Sequence, residues 1–511
     1  MTFAHIEVLA MTPECLIKNS PPILAIPCPM VMVLSLIMKL NYDPKEFYKA
    51  HLSRDQRFDG KFFVAVKTTK IYCRPICPAR KAKLENLEFF IHAAAAVEAG
   101  YRPCLRCRPE TSPGSAAWIG TCATVRRAIR LMDSCALEEL SIRKLAHRLG
   151  IGERWLRELF QQQVGASPQA ILLSKKLDIA RNLLDTSTLS ISDIAFSSGF
   201  NSIRRFNDAF KIKFQKTPNE LRGVINSTKA GLCLQLAYRP PYAWDRILHF
   251  FGNRVIPGVE LVENNSYQRL ISCNDTRGWF RAKLCNNNKI EFEFKLNKNA
   301  NILEFVSRLK NIFDLDSDPM AIHNTLHEDA KLKPFLKQYP GLRIPGCWDG
   351  FELAIRAIVG QKISVKAAHT ILGRIVKLCG EPQVLDKTLK LTHYFPSAEK
   401  ILEADLSGIG LTTSKIESIK LLAQEVANKT IVLDGTADFE DTCKRLLALK
   451  GIGKWTVEYI AMRALRDPNG FPETDLELQK KIVALGLNPQ KWVPWRGYAA
   501  VLLWNINTLS K

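Results

Sequence analysis

Cys73 and Cys77 lie in a basic, proline-kinked stretch, KTTKIYCRPICPARKAK, and Cys104 and Cys107 lie in PCLRCRP. The spacing is C-x3-C, then 26 residues, then C-x2-C. Two close thiol pairs at this separation predict one tetrahedral Zn2+ in a four-thiolate site. Such a staple would stabilise a region of about 70 residues with few strands. Spacing leaves two readings open, a plain zinc ribbon and a reactive site. The neighbours bear on the choice, since Arg74, Arg80, Lys81, Lys83, Arg102, Arg106 and Arg108 surround the ligands. Four thiolates on one Zn2+ carry a formal charge of roughly −2. An exposed, electron-rich thiolate beside phosphate-binding arginines is a nucleophile held against a DNA backbone.

A second concentration of chemistry lies near the end of the chain. LKGIGKWTVEY (449–459) reads as a helix-hairpin-helix turn. Gly451 and Gly453 let the backbone approach a phosphate, the amides opening the next helix point at it, and Lys454 adds charge. LSGIGLTTSK (406–415) is a second copy, read as partly structural. FPETDLELQ places Asp475 twenty-two residues after Gly453, behind a proline loop.

Between these regions, two similar blocks occupy 141–168 and 190–218: LSIRKLAHRLGIGERWLRELF and LSISDIAFSSGFNSIRRFNDAF. Each has an apolar helix, a turn containing Gly and a second helix carrying Arg, which is a helix-turn-helix written twice. A long helix over about 168–185 would join them and set two recognition helices in successive major-groove turns. Arg154, Trp155 and Arg157 on the first, and Ser202, Arg204 and Arg205 on the second, are the candidates to face DNA. FFVAVKTT (62–69) reads as a strand, HAAAAVEAG (92–100) as a short helix stopped by Gly100, and KIEFEFKLN (289–297) as part of a small antiparallel sheet.

The bulk numbers fit a nucleic-acid partner. Across 511 residues, 72 Lys and Arg oppose 50 Asp and Glu, a net charge of +22 spread along the whole chain rather than held in one tail. That excess points to a polyanion, and a merely basic enzyme is the plain alternative. Cys233, Cys285, Cys379 and Cys443 stand singly among apolar residues and read as buried thiols of a reduced, cytoplasmic protein. The apolar run at 22–38 is short for a membrane span and broken by Pro27 and Pro29. Residues 1–39 therefore read as an extension, disordered or a start-site artefact with Met38 as the other start. A membrane anchor is the alternative.

IYCRPICPARKAKLENLEFF followed by AGYRPCLRCRPE resembles the N-terminal domain of the Ada family. The resemblance implies transfer of a methyl group from a DNA methylphosphotriester to Cys73, with Cys77, Cys104 and Cys107 completing the zinc site and Arg80 and Arg106 at the phosphate contacts. Methylation would reduce the charge of the site to roughly −1 and strengthen its hold on DNA. The sulfur is not regenerated, so each molecule would react once. The paired blocks are similar to AraC-type regulators. Hairpin, proline loop and Asp475, with PGLRIPGCWDGFELAIRAIVGQKIS (340–364), LAYRPPYAWDRILHFFGNRVIPGVE (236–260) and WVPWRGYAAVLLW (492–504), resemble the AlkA-type 3-methyladenine DNA glycosylases.

That last resemblance implies one catalytic acid, Asp475, and a pocket of Trp455, Tyr459 and Trp504. An alkylated purine is cationic and already a good leaving group, so a second carboxylic acid is unnecessary. Core packing for the three aromatics and a helix N-cap for Asp475 are the plain alternatives. Strand-cutting relatives place a lysine just after the hairpin, where Trp455 stands here with Lys454 one residue earlier, so a monofunctional enzyme leaving an abasic site is expected. The family's wedge, usually an apolar residue or Gln, is Lys362 here, which either fills the gap left by the flipped base or only contacts phosphate, and Gln361 before it is a further candidate DNA contact. No PCHR-like loop for direct guanine dealkylation is present.

The expected fold is multidomain and mainly α with small α+β parts. It comprises an extension (1–39), a zinc-stapled Ada-like domain (40–112), an AraC-type double helix-turn-helix (113–228), a small antiparallel-sheet α+β domain (229–340) and an all-α helix-hairpin-helix glycosylase domain (341–511). The expected partners are double-stranded DNA with alkylated bases and methylated phosphates, and RNA polymerase if the chain acts as an activator, with no membrane and no cofactor beyond one Zn2+. Two rival readings are a regulator with an inactive glycosylase part and a glycosylase with an inert zinc module.

Overall fold

Strand β1 (Phe63–Val66) lies between the two halves of a small sheet, pairing antiparallel with β2 (Ile71–Cys73) and with β3 (Leu87–Phe90). Strand β4 (Arg102–Pro103) adds in parallel to β2, giving the order β3-β1-β2-β4. Side chains alternate across a strand, so Phe63 and Ala65 pack with Tyr72 and helix α2 (Ala93–Glu98) on one face. Val64 packs with Phe62, Leu87 and Phe47 of helix α1 (Pro44–Ser53) on the other. The computed structural model describes residues 44–113, 123–134, 141–222, 232–297, 302–386 and 388–506. The expected extension at 1–39 lies outside them.

Helix α3 (Ala123–Ser134) leads into two units of like construction. In the first, Ser141 caps α4 (Ile142–Leu149), Gly150 ends it at φ +71°, and α5 (Glu153–Val164) follows. The connecting α6 runs Pro168–Thr186. In the second unit, Ser190 caps α7 (Ile191–Ser197), and α8 (Ile203–Phe214) is followed by the single turn α9 (Pro218–Leu221). Side-chain oxygens at these starts accept orphan helix N–H groups, which is why Ser recurs at both.

A five-stranded antiparallel sheet follows, with β5 (Leu232–Ala237), β6 (Glu260–Glu263), β7 (Ser266–Cys273), β8 (Thr276–Cys285) and β9 (Lys289–Leu296) in the order β5-β9-β8-β7-β6. The β6–β7 and β8–β9 turns each place two asparagines at positive φ, Asn264–Asn265 and Asn287–Asn288, the conformation a tight hairpin requires. In β9, Ile290, Phe292 and Phe294 are buried while Glu291 and Glu293 alternate with them. Helices α10 (Trp244–Gly252) and α11 (Ile302–Ile312) pack into the same core.

The remainder is helical: α12 (Pro319–His327), α13 (Lys333–Gln338), α14 (Gly350–Gly360), α15 (Val365–Cys379), α16 (Ala398–Glu403), α17 (Thr413–Ala427), α18 (Phe439–Ala448), α19 (Lys454–Arg463), α20 (Leu476–Leu485) and α21 (Arg496–Asn505). Helix α14 is buried almost all round. Arg269 of β7 reaches it through Glu352 at 2.7 Å, and Arg356 grips Glu260 and Glu352 at 2.6 Å each. This buried network joins the sheet to the helices.

The four isolated cysteines are half-buried rather than buried. Cys233 lies on edge strand β5 and Cys285 ends β8, while Cys379 and Cys443 stand at the rim of the helical core. None of the described helices is long and apolar enough to cross a membrane.

Candidate metal centre and active site

The sheet brings the two cysteine pairs together. Cys73 ends β2, paired with Val64, and the Cys104 N–H donates to the Tyr72 carbonyl at 2.9 Å as the chain leaves β4. The Cys77 N–H donates to the Arg74 carbonyl at 3.1 Å, curling the first loop, and the Arg74 N–H donates to Cys107 Sγ at 3.4 Å. All four sulfurs lie within 4.8 Å of one another. At a Zn–S distance of about 2.3 Å, sulfurs on a tetrahedron are about 3.8 Å apart, so the donor set fits one Zn2+. Sulfurs this close cannot all ionise without a cation among them.

Cys73 is buried, and Cys104 is the half-exposed member, contrary to the expected exposed thiolate at position 73. Cys73 is paired with Val64 in the sheet and packed against Cys77 and Cys107. His51 Nδ1–H donates to the Pro75 carbonyl at 3.2 Å and Arg54 Nε to the Cys77 carbonyl at 3.1 Å, which holds the end of α1 against the loop. The surrounding cations also divide. Arg74 pairs with Asp59, and Arg108 pairs with Glu110 and with Asp185 of α6. Arg80 and Arg106 are exposed and make no hydrogen bond or ion pair among the described residues.

On the double helix-turn-helix, Arg154, Trp155 and Arg157 are exposed on α5, and Arg204 and Arg205 on α8. Arg154 pairs with Glu158 and Arg157 with Glu153 along the same helix, and such surface pairs are weak enough to exchange for phosphate. Ser202 caps α8, accepting the Arg205 N–H.

Asp475 is both a helix cap and the centre of an aromatic hollow, so the two alternatives are one arrangement. Its Oδ1 accepts the N–H groups of Glu477 and Leu478 at 3.1 and 3.0 Å, starting α20. Trp455 Nε1 donates to Oδ2 at 3.0 Å and Trp504 Nε1 to Oδ1 at 3.3 Å. Trp455 and Tyr459 stack at 5.0 Å between ring centres, and Trp504 meets Tyr459 edge-on at 6.4 Å. The indoles leave the carboxylate half-buried and directed at the rings. Arg463, which sequence reasoning missed, donates from Nη1 to the Tyr459 hydroxyl and from Nε to the Pro345 carbonyl at 2.6 Å. Its signal was periodicity, because Trp455, Tyr459 and Arg463 recur every four residues on α19.

Gly451 adopts φ +86°, and a Cβ there would meet Ser418 Oγ at 1.9 Å. Gly453 caps α19 with open space around it. Lys454 is exposed and pairs with Glu473 at 2.9 Å. Gln361 is a brace, its Nε2 donating to the Gly451 carbonyl at 3.1 Å and to Thr456 Oγ1 at 3.0 Å. Lys362 stands beside it, exposed at φ +56°. The second hairpin copy holds Gly408 and Gly410 at positive φ, and Lys415 after it donates to the Val359 and Gln361 carbonyls. It therefore supports the loop that carries Lys362.

Four family models match in succession: "Metal binding domain of Ada" over 46–110, "Helix-turn-helix domain" over 145–223, "AlkA N-terminal domain" over 233–349 and "HhH-GPD superfamily base excision DNA repair protein" over 355–467. Among curated relatives, the "Probable bifunctional transcriptional activator/DNA repair enzyme AlkA" of Mycobacterium tuberculosis is 37% identical over 481 residues, covering 91% of this chain and 97% of that one. The "DNA-3-methyladenine glycosylase 2" of Escherichia coli is 29% identical over 53% of this chain and 95% of its own. The "Bifunctional transcriptional activator/DNA repair enzyme Ada" of Escherichia coli is 35% identical over 24% of this chain and 33% of its own. The metal-binding match and the converging sulfurs give the cofactor as one Zn2+. With an Ada-type metal domain, a helix-turn-helix domain and an AlkA-type glycosylase in one polypeptide, the chain belongs to the family of bifunctional transcriptional activator/DNA repair enzymes of the AlkA type.

Proposed function

We propose that the protein excises alkylated bases from DNA at Asp475 and accepts methyl groups from methylated DNA phosphates at Cys73, linking damage to transcription of repair genes. The observation that carries the first activity is the convergence of two indole N–H groups on Asp475 beside stacked rings. A flipped base that is already cationic is drawn to the aromatic faces, each good contact contributing roughly 0.5–2 kcal/mol. As the bond between the sugar and the base nitrogen breaks, its electron pair moves onto the base and neutralises it. Positive charge then develops on the sugar, where the fixed carboxylate stabilises it and directs water to the anomeric carbon. Trp455 stands where a lyase would need its lysine, so the product is an abasic site.

At the other site, Cys73, Cys77, Cys104 and Cys107 hold the Zn2+, whose contribution is to keep sulfur deprotonated at neutral pH. Arg80 and Arg106 hold the phosphate. The Cys73 sulfur forms a bond to the methyl carbon while the methyl–oxygen bond breaks, and the electron pair stays on the phosphate oxygen. One negative charge is lost from the sulfur cluster, which favours DNA. Arg154, Arg157, Ser202, Arg204 and Arg205 then read or grip the duplex, while Gly451, Gly453, Lys454 and Lys362 hold it at the glycosylase. RNA polymerase is the partner in activation, the cytoplasm is the compartment, and the four segments 40–112, 113–228, 229–340 and 341–511 are the working units. Incubation with DNA carrying labelled methyl groups tests both reactions. The expected result is label in free base and on protein, and label in neither would overturn the reading.

A further inference from the structure

A chamber of about 290 Å³ lies where the zinc-binding region, the helix-turn-helix module and the glycosylase meet. Most of its carboxylates are ion-paired: Asp133 pairs with Lys175, Asp316 with Lys310 and Asp178 with Lys213, while Glu110 pairs with Arg108. Asp314, the fifth, accepts from the Tyr498 hydroxyl and the Ile344 N–H. Its arginines are not matched in this way. Arg126 and Arg130 project from one face of α3, a turn apart, and Arg466 enters from the loop after α19. Arg130 donates only to the Arg466 carbonyl and Arg466 only to Ser307. Arg126 makes no hydrogen bond or ion pair among the described residues.

Like charges at i,i+4 repel, and here a third guanidinium faces them. Burial, then Arg466 and Arg126, lower Arg130 to about 10, with Asp467 and Asp434 opposing from beyond ion-pair distance. Three guanidinium forks around one space match the oxygens of a phosphate group. Ile129, Ile171 and Leu303 supply an apolar wall beside them. The volume sits at the lower end of small-ligand pockets, about 300 Å³.

We propose that this chamber binds a small phosphate-bearing ligand, of pyrophosphate to mononucleotide size, through Arg126, Arg130 and Arg466. Bound there, the anion ties α3 to the 465–467 loop and so fixes the regulator module on the glycosylase.

The test uses the full zinc-loaded chain, titrated with pyrophosphate and with AMP by calorimetry at constant ionic strength, with and without a short duplex. The expected result is saturable one-to-one binding that Arg126→Ala weakens about tenfold or more and that Arg154→Ala leaves unchanged. The duplex should not displace the ligand. Unliganded Arg126→Ala should melt higher than the parent, because a repulsion is relieved, while losing the upward shift that ligand confers, and its base release should be unaltered. Absence of saturable binding, equal binding by Arg126→Ala, loss of binding in Arg154→Ala or displacement by duplex would each overturn the proposal, the last two assigning the phosphate affinity to the DNA-binding faces.

Discussion

The two reactive centres are held in opposite ways. Around the sulfurs, the supporting cores are two small clusters, one of Phe63, Ala65, Tyr72 and Tyr101 with alanines, the other of Phe47, Phe62, Val64 and Leu87 with Ala50. Around Asp475, the scaffold is two large helical cores running from Ile256 to Leu465 and from Ile322 to Ile506. A small core cannot by itself hold four mutually repelling thiolates, so the metal must carry both the fold and the chemistry of the first region. The second region needs no such staple, and its carboxylate is fixed by N–H donors from three helices. Metal removal should therefore separate them, by the largest effect expected here. Chelation should cost the 44–113 region about 10 kcal/mol, seen as rapid proteolysis within it and loss of methyl transfer. Base release should persist. Parallel loss of base release would show that the contacts of Lys61 with Asp318 and of Arg239 with the Asp59 carbonyl make one cooperative body of the two.

The next effect belongs to the second centre alone. Asp475→Asn keeps an acceptor for the helix cap but removes the charge that opposes the developing sugar cation. Single-turnover release of 3-methyladenine should fall about 10²–10³-fold, with duplex affinity and methyl transfer unchanged. A smaller loss would move the stabilising charge elsewhere.

What could be read from sequence also differs between the centres. The cysteine pairs are each local, and their spacing alone implied convergence. The burial of Cys73 was not legible, because it needs β2 paired with β1 and the distant Cys107 packed beside it. Asp475 was legible through its motif, whereas its contacts with Trp455 and Trp504 join residues 20 and 29 apart and needed the fold. Sequence shows that Arg239, Arg269 and Arg343 are charged but not that they are buried, and these three stitch the modules together. That Gln361 braces the hairpin was not legible, because the Gly451 carbonyl and Thr456 are distant in sequence.

Acid should act on the two regions with opposite sign. His92 caps α2 and is held neutral, lowered from 6.5 to about 4 by burial, then by Lys175 and Lys213. The unfolded chain binds this proton first, so stability is lost as pH falls from about 6.5 to about 4, by about 3 kcal/mol. Asp314, in the glycosylase, is raised from 3.8 to about 6 by burial, against Arg343, the Tyr498 hydroxyl and the Ile344 N–H. Here the folded state binds the proton first. Stability is gained as pH falls from about 6 to about 4, again by about 3 kcal/mol. Urea titrations of His92→Asn and Asp314→Asn, each compared with the parent across this range, should flatten the two contributions separately. Slopes of the same sign would sink the contrast.

The smallest effect probes how the carboxylate is aimed. Trp504→Phe keeps a ring beside Tyr459 but removes one of the two indole donors, leaving Trp455 to hold Asp475 with the α20 amides. One charge-assisted hydrogen bond is at stake, about 1.5–3 kcal/mol at most, and the helix cap compensates in part. Base release should fall about tenfold, with affinity for methylated DNA little altered because the aromatic wall remains. If Trp504 serves only as a stacking surface, Phe would restore the parental rate and Ala would not. If it aims the acid, Phe and Ala would share the rate defect while Ala alone loses affinity. The sulfur centre offers no such separation, since each sulfur there is also a ligand position for the metal and any substitution touches fold and chemistry together.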